Sequence, residues 1–286
     1  MKNNSGYCLI ALLILITGCE TDVKDIRLPE FRPKLVVTCF LSPSDTISYF
    51  NVSTNASLFG ELHKIEPFGN LSGYISDGLQ TVYLDTFSTG LKLDHKKMPI
   101  RYGSNYSLTV TSDLGLKAEA VCTIPNERAF SIETDTFSVP VNNPWTGKKR
   151  LYNLKIAVRD IAAENNYYRI KASGYGYLRH QQSNETIRFY RDIRIIEDLF
   201  TDKGLDGSRI IVVTDGMQQF FDSDSSFVVI TLYNTENSYY LYHKSLRNYI
   251  DGRSPFEEPT PVFTNVTGGL GIFTSYTVDS TVVRIK

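Results

Sequence analysis

The chain has 286 residues, and its 30 lysine and arginine residues nearly balance its 31 aspartate and glutamate residues. This balance excludes the strongly basic proteins that bind nucleic acid or adhere to anionic membranes through charge alone. The length is ample for a large hydrophobic core and favours two domains over one.

The first eighteen residues have the pattern of a bacterial lipoprotein signal peptide. Lys2 gives a weakly positive start, Leu9 to Ile16 form an apolar run of secretory length, and small residues precede Cys19. Because signal peptidase II cuts before such a cysteine, we expect residues 1–18 to be removed and Cys19 to carry palmitate or a similar acyl chain. Two acyl chains would anchor the protein permanently in the bilayer, since each buried CH₂ contributes about 0.8 kcal/mol. The alternative is an ordinary secretory signal that contains a cysteine.

Residues 19–33 are charged and interrupted by Pro29 and Pro33, so they are predicted to form a tether. The acidic residues directly behind Cys19 resemble the signals that sort some Bacteroidota lipoproteins to the outer membrane or the cell surface, although a solvated linker explains them equally well. We therefore expect a protein anchored by lipid in the outer membrane. Its periplasmic or cell-surface placement stays open.

Residues 34–125 are predicted to form an immunoglobulin-like β-sandwich. Apolar and polar residues alternate here in short runs separated by turn residues. Asn105 to Thr111 resembles the penultimate strand of immunoglobulin-like domains, in which a tyrosine near the strand start, here Tyr106, bonds back to the preceding turn. Residues 118–124 are predicted as the closing strand of this domain, with Pro125 at the boundary.

Two cysteines remain in the folded part, Cys39 and Cys122, and both alternate with core-facing residues of predicted strands. An envelope compartment permits a disulfide between them. Two buried thiols that never pair are an equally good interpretation, because pairing requires Cα atoms within about 7 Å.

Residues 126–286 are predicted to form a second, β-rich domain with one covering helix. Alternating apolar faces predict strands at 129–137, 152–158, 167–178, 187–195, 208–213 and 227–233, with a loop at 140–148. From Ser238 to Ile250 the apolar residues recur at helical spacing, and Gly252 stands where a helix C-cap would. The fold class is therefore mainly β, with a helix near 238–250 laid over one sheet.

Outward residues of two neighbouring strands form the candidate binding face of the second domain. Tyrosine and arginine concentrate at binding hot spots, so this face could stack a sugar or receive a protein partner. Alternatively, the predicted helix covers it. The face consists of Tyr167, Arg169, Lys171, Tyr175, Tyr177, Arg188, Tyr190 and Arg194.

Several segments, in this order, resemble a Bacteroidota outer-membrane lipoprotein family, the domain of unknown function forty-two forty-nine. They are the Leu35-Val36-Val37 strand, Asp160 with Tyr167-Tyr168, the helix beginning Tyr239-Tyr240-Leu241-Tyr242, and the glycine-rich end Val262 to Phe273. The resemblance implies a lipoprotein often encoded beside a TonB-dependent outer-membrane receptor, without an established enzymatic activity. It supplies no catalytic residues to carry over.

Catalytic and metal-binding motifs find little support in this sequence. The four histidines, His63, His95, His180 and His243, form no zinc-binding arrangement. The segment Asp202 to Gly207 partly matches a calcium loop, but a glycine occupies a ligand position and no glutamate closes it, so an Asp-Gly turn explains it better. The glycines at 268–271 indicate a tight turn or bulge rather than a phosphate cradle. We therefore expect no catalytic residues, metal, cofactor or nucleic acid.

These observations favour a non-catalytic binding or accessory lipoprotein that works with a TonB-dependent receptor in nutrient uptake. The partners would be the bilayer, through acylated Cys19, and that receptor. The alternatives are an envelope hydrolase with an unrecognised site and a structural envelope protein.

Overall fold

Sixteen β-strands and one α-helix make up the part of the chain that the computed structural model describes. That part comprises residues 31–56, 68–88, 90–128, 130–143, 147–179, 185–217, 220, 223–251 and 260–285. The signal peptide, Cys19, His63, His180 and Gly252 lie outside it. Pro33–Lys286 is one compact unit. The described helix is neither long nor apolar enough to cross a membrane.

The described residues of the first half form eight short strands, as the alternating pattern predicts. They are β1 (Leu35–Leu41), β2 (Ile47–Thr54), β3 (Leu71–Ser76), β4 (Thr81–Tyr83), β5 (Asp85–Phe87), β6 (Gly90–Asp94), β7 (Asn105–Ser112) and β8 (Lys117–Thr123). The second half supplies longer strands and the helix. They are β9 (Ile132–Asn143), β10 (Gly147–Arg159), β11 (Tyr167–Arg179), β12 (Thr186–Ile195), β13 (Leu199–Thr201), β14 (Arg209–Asp215), β15 (Ser225–Thr235), α1 (Asn237–Asp251) and β16 (Leu270–Arg284).

The first half folds as a β-sandwich. A four-stranded sheet of order β4-β3-β7-β8 contributes to the same core as the β5-β6-β2-β1-β16 part of a twelve-stranded sheet. Every second residue of β1 is buried in that core because side chains alternate across a strand. The mainly β fold is thus as predicted.

Tyr106 makes the turn contact that the sequence predicts. Its side chain is 1% exposed. Its hydroxyl accepts a hydrogen bond from the Arg101 backbone N–H at 2.9 Å and donates one to the Pro99 carbonyl at 3.2 Å. The turn before β7 is therefore fixed from within the sandwich, as in the tyrosine corner of immunoglobulin-like domains.

The second half continues the twelve-stranded sheet in the order β16-β15-β11-β12-β14-β10-β9, with β13 paired to β11. Inward side chains of β10, β11, β12, β14 and β15 share a second core. Within β11, Gly174 and Gly176 face this core, where the rings of Phe220 and Phe189 occupy the space that a Cβ would need. The residues between and after these glycines, Tyr175 and Tyr177, consequently point to the outer face.

Strand β16 belongs to both cores. Its first part pairs in parallel with β1, from Val36↔Leu270 to Leu41↔Ser275, and its second part pairs antiparallel with β15. Val266 and Phe273 are buried in the first core. The two cores therefore lie on either side of residue 125 in sequence, except that the C-terminal segment also completes the first sandwich.

The loop predicted at residues 140–148 is largely strand, so that part of the prediction was wrong. Strands β9 and β10 form a long hairpin in which Pro140 pairs with Arg150. Proline is tolerated here because β9 is the edge strand of the sheet, where its missing N–H removes no necessary ladder bond.

Cys39 and Cys122 are free thiols in the structure, buried in the first core. Of the two alternatives that the sequence left open, a disulfide or two unpaired thiols, the structure thus has the unpaired thiols. Burial raises the pKa of both thiols, so they stay protonated and unreactive at neutral pH.

Candidate functional site

The predicted binding face divides into three parts along β11. One end lies under α1, the middle borders a charged cleft, and the far end is an open surface of aromatic and arginine side chains. Its members therefore share one face of the sheet, as the period-two pattern predicts, but they do not form one continuous exposed surface.

Helix α1 covers the end of the face that contains Tyr167 and Arg169. The Tyr167 ring lies 5.5 Å from the Tyr240 ring, and Arg169 Nη1 donates a hydrogen bond to the Tyr239 hydroxyl at 3.1 Å. Both residues are therefore partly buried against the helix. For this end, the alternative in which the helix covers the face is correct.

Charges beneath α1 form a network. Asp198 accepts hydrogen bonds from Arg169 Nε at 3.3 Å and from Arg247 Nη2 at 2.6 Å. His243 stacks on Phe40 with ring centroids 5.5 Å apart. Burial and the positive charge of Arg169 lower the pKa of His243 to about 4, so its ring is neutral at physiological pH.

Beyond the helix, Tyr175, Tyr177, Arg188 and Tyr190 form what we call the tyrosine–arginine strip. Tyr175 stacks on Phe227 of β15 at 5.2 Å and meets Tyr177 edge-on at 6.3 Å. The Arg188 guanidinium lies 5.1 Å over the Tyr175 ring. Tyr190, which pairs with Tyr175 across the strands, is 63% exposed. Tyr175 and Tyr177 are half-buried, whereas Arg188 and Tyr190 are exposed, so the strip offers the Tyr190 ring and the Arg188 N–H donors to solvent.

Between the strip and α1 lies a cleft of 610 Å³, which we call the cationic cleft. The cleft opens on one edge of β11, in the gap between two paired strands. Pairing with β12 ends at Ala172↔Ile193, and pairing with β13 begins at Arg169↔Leu199. Three cationic side chains from different elements line it, Lys171, Arg194 and Arg247. The carboxylates of Asp192 and Asp198 and the exposed side chain of Ile196 line it as well.

Among the described residues, one cluster of three aspartates has the spacing of metal ligands. Asp160, Asp202 and Asp206 each bring an oxygen within 4.8 Å of the others. Each carboxylate accepts a hydrogen bond of 2.8 Å from another part of the protein. Asp160 accepts from Tyr168 Oη and from the Gly207 N–H, Asp202 from the Asn166 N–H, and Asp206 from the Ala163 N–H. The cluster therefore ties the loop at 202–207 to the loop before β11. Sequence reasoning considered that loop and named Asp160 in the family resemblance, but it did not bring the two together, because they lie far apart in the chain.

Ser48 and His95 form a second polar pair, in the first half of the chain. Ser48 Oγ lies 2.8 Å from His95 Nε2 and the serine is only 2% exposed. Burial lowers the pKa of His95, and the nearby Asp45 partly opposes this. The pair gives the buried hydroxyl a hydrogen-bond partner, as buried polar groups require.

Sequence reasoning missed the elements that complete the face. Phe227 extends the strip from β15, and its alternation with buried Val228 was a usable signal. Arg247 and Asp198 complete the cleft from α1 and from the turn before β13, and no local pattern places either of them beside Lys171.

Comparison with known proteins matches the chain to one family, and no curated protein matches it. The family model, described as a domain of unknown function (DUF4249), matches residues 20–282 and therefore nearly all of the described strands. The match includes the strip, the cationic cleft, α1 and β1, so these features lie inside the family's domain. The chain belongs to the DUF4249 family.

Proposed function

We propose that the protein is a lipid-anchored outer-membrane binding or accessory protein that works with a TonB-dependent receptor in nutrient uptake. In this proposal Cys19 holds the chain in the membrane, and the tyrosine–arginine strip is the surface on which the receptor docks. Catalysis is not part of the proposed role.

The observation that carries the proposal is the exposed strip itself. Large aromatic rings bring much contact area, guanidinium groups bring several hydrogen-bond donors, and both dominate hot spots at protein interfaces. The strip lies on the paired and rigid strands β11 and β12 rather than on a loop. A partner would therefore meet a preorganised surface, and less of the interaction free energy would be lost to ordering.

The test is the double variant Arg188→Ala/Tyr190→Ala. Both side chains are exposed, so the variant should keep its melting temperature within about 2 °C of the wild type. The proposal expects a TonB-dependent receptor gene beside this chain's gene. Capture of that receptor, measured with purified proteins, should weaken about tenfold or more, because hot-spot truncations cost at least about 1–2 kcal/mol.

Tyr83→Ala is the matched control. Tyr83 is also a highly exposed tyrosine, but it lies on β4 of the first sandwich. Its removal should leave receptor capture unchanged. Equal capture by the stable double variant, or a genome in which no receptor gene neighbours this one, would contradict the proposal.

A further inference from the structure

The cationic cleft carries more positive than negative charge. Asp198 is shared between Arg169 and Arg247, so one carboxylate serves two guanidinium groups. Asp192 is the other carboxylate of the lining, and its charge acts on Lys171. The lining thus has three cationic side chains, Lys171, Arg194 and Arg247, against two carboxylates, which leaves an excess of one positive charge, and Arg169 lies beside Asp198 outside the lining.

Two of these cations make no ion pair within the described part of the chain. The ammonium of Lys171 lies 5.4 Å from the Tyr233 ring centroid, and the ion pairs of the described residues include neither Lys171 nor Arg194. The pKa of Lys171 is lowered by partial desolvation of its ammonium group and by the positive charge of the nearby Arg169. Its charged form is therefore destabilised in the free protein, and a bound anion would relieve this.

The three lining cations belong to three different elements. Lys171 comes from β11, Arg194 from the point where β12 departs, and Arg247 from α1. A carboxylate is bound well by one planar guanidinium. Three cations lining one cleft instead suit a group with three acceptor oxygens and about two negative charges, which describes a phosphate monoester at neutral pH.

We propose that the cationic cleft binds a phosphate monoester group, carried either by a soluble sugar or by a membrane lipid headgroup. This inference deepens the proposed binding function, because it assigns a ligand class to the same face of the sheet. It rests on the proposed function in that respect only. Lys171 of the cleft and Tyr175 of the strip are four positions apart along β11, about 13 Å. The two surfaces can therefore be tested separately.

The first arm measures binding of glucose 6-phosphate and glucose to the full-length, detergent-solubilised protein by calorimetry at constant ionic strength. We expect glucose 6-phosphate to bind and uncharged glucose not to bind. The double variant Lys171→Met/Arg194→Gln should raise the Kd at least tenfold. Arg194→Gln alone, which removes the more peripheral charge, should raise it severalfold and serves if the double variant does not fold.

The second arm tests the lipid source. The Cys19→Ala chain, with and without the cleft substitutions, is floated with vesicles that contain phosphatidic acid, a phosphate monoester, or phosphatidylglycerol, a diester. Cleft-dependent binding to phosphatidic acid vesicles alone identifies a headgroup ligand, whereas cleft-dependent binding of glucose 6-phosphate identifies a soluble one. Either result supports the proposal.

Arg191→Gln is the matched control, because it removes one positive charge from an exposed residue on the same strand as Arg194 that belongs neither to the cleft lining nor to the strip. It should leave the Kd of glucose 6-phosphate within twofold of the wild type. Equal weakening by Arg191→Gln and by the cleft variant would mean unspecific charge attraction and would overturn the proposal. Absence of binding in both arms would also overturn it, without affecting receptor capture through the strip.

Discussion

Buried polar side chains fix the irregular parts of this β protein. Tyr106 holds the turn before β7, and Tyr168 donates to Asp160 at 2.8 Å at the base of β11. Burial, together with the bond to Asp160, raises the pKa of Tyr168, so its hydroxyl stays protonated and can act as the donor. Each contact joins a strand to a loop that has no ladder bonds of its own.

His243 makes the stability of the protein depend on pH. Burial, Arg169, Lys171 and Arg247 lower its folded pKa to about 4 from an ordinary value of 6.5, and Asp198 partly opposes this. Between these values the unfolded chain binds more protons than the folded chain does. This contribution to stability is therefore complete above about pH 6.5 and is lost as the pH falls towards 4.

We predict that His243→Phe removes this dependence. Phenylalanine preserves the stacking on Phe40 but cannot take up a proton. Relative to the variant, the wild type should lose about 1–2 kcal/mol of unfolding free energy between pH 7.5 and pH 4.5, a value reduced because the ring is partly exposed to solvent. Urea unfolding at three pH values measures this difference.

Lys244→Gln is the control, since it alters a solvent-accessible side chain on the same helix. Its stability should follow the wild-type pH profile. If His243→Phe follows that profile as well, the histidine is not a source of the pH dependence.

At the scale of elements, the parallel pairing of β1 with β16 depends on one glycine. Gly271 has a φ of 99°, and a Cβ at this position would lie 2.1 Å from the Val37 carbonyl oxygen of β1. The backbones of the two strands can pair at this point only because residue 271 has no side chain.

We predict that Gly271→Ala destabilises the protein by about 3 kcal/mol or more, because backbone strain and the clash with β1 add. Gly115→Ala is the matched control: Gly115 also has a positive φ, of 80°, but no atom lies within 4 Å of the position that a Cβ would take there. It should cost only the strain, about 1–2 kcal/mol. Equal losses in denaturant unfolding would show that the close contact with β1 contributes nothing.

Local patterns predicted most elements but not their long-range pairing. The alternation in β11 and the helical spacing of α1 lie within single segments, so the sequence reveals them. The pairing of β1 with β16 joins residues more than two hundred positions apart, and no local signal specifies it. The candidate site follows the same rule. Tyr175 and Tyr177 were predicted as neighbours on one strand, whereas Arg247 reaches the cleft through the packing of α1.

At the scale of the whole molecule, β16 and the start of α1 tie the two cores together. Glu236 lies directly before α1, and its carboxylate accepts hydrogen bonds from the Thr123 N–H of β8 at 3.2 Å and from Thr274 Oγ1 of β16 at 3.0 Å. Burial raises the pKa of Glu236. A ligand that moved α1 would therefore also act on the end of the first sandwich.

The proposed membrane anchor makes the last prediction. If the Leu15-Ile16-Thr17-Gly18-Cys19 segment is a lipoprotein signal, Cys19→Ala removes the acylated residue, and the acyl chains supply the membrane attachment. The variant should then leave the outer-membrane fraction and appear in the soluble fraction after carbonate washing, and it should incorporate no labelled palmitate.

Cys8→Ala is the matched control, because it changes a cysteine within the removed segment and should leave both attachment and labelling intact. A Cys19→Ala protein that still sediments with the washed membranes would mean that another part of the molecule holds it there, and the cationic cleft, with its inferred affinity for phosphate headgroups, would be the first region to substitute.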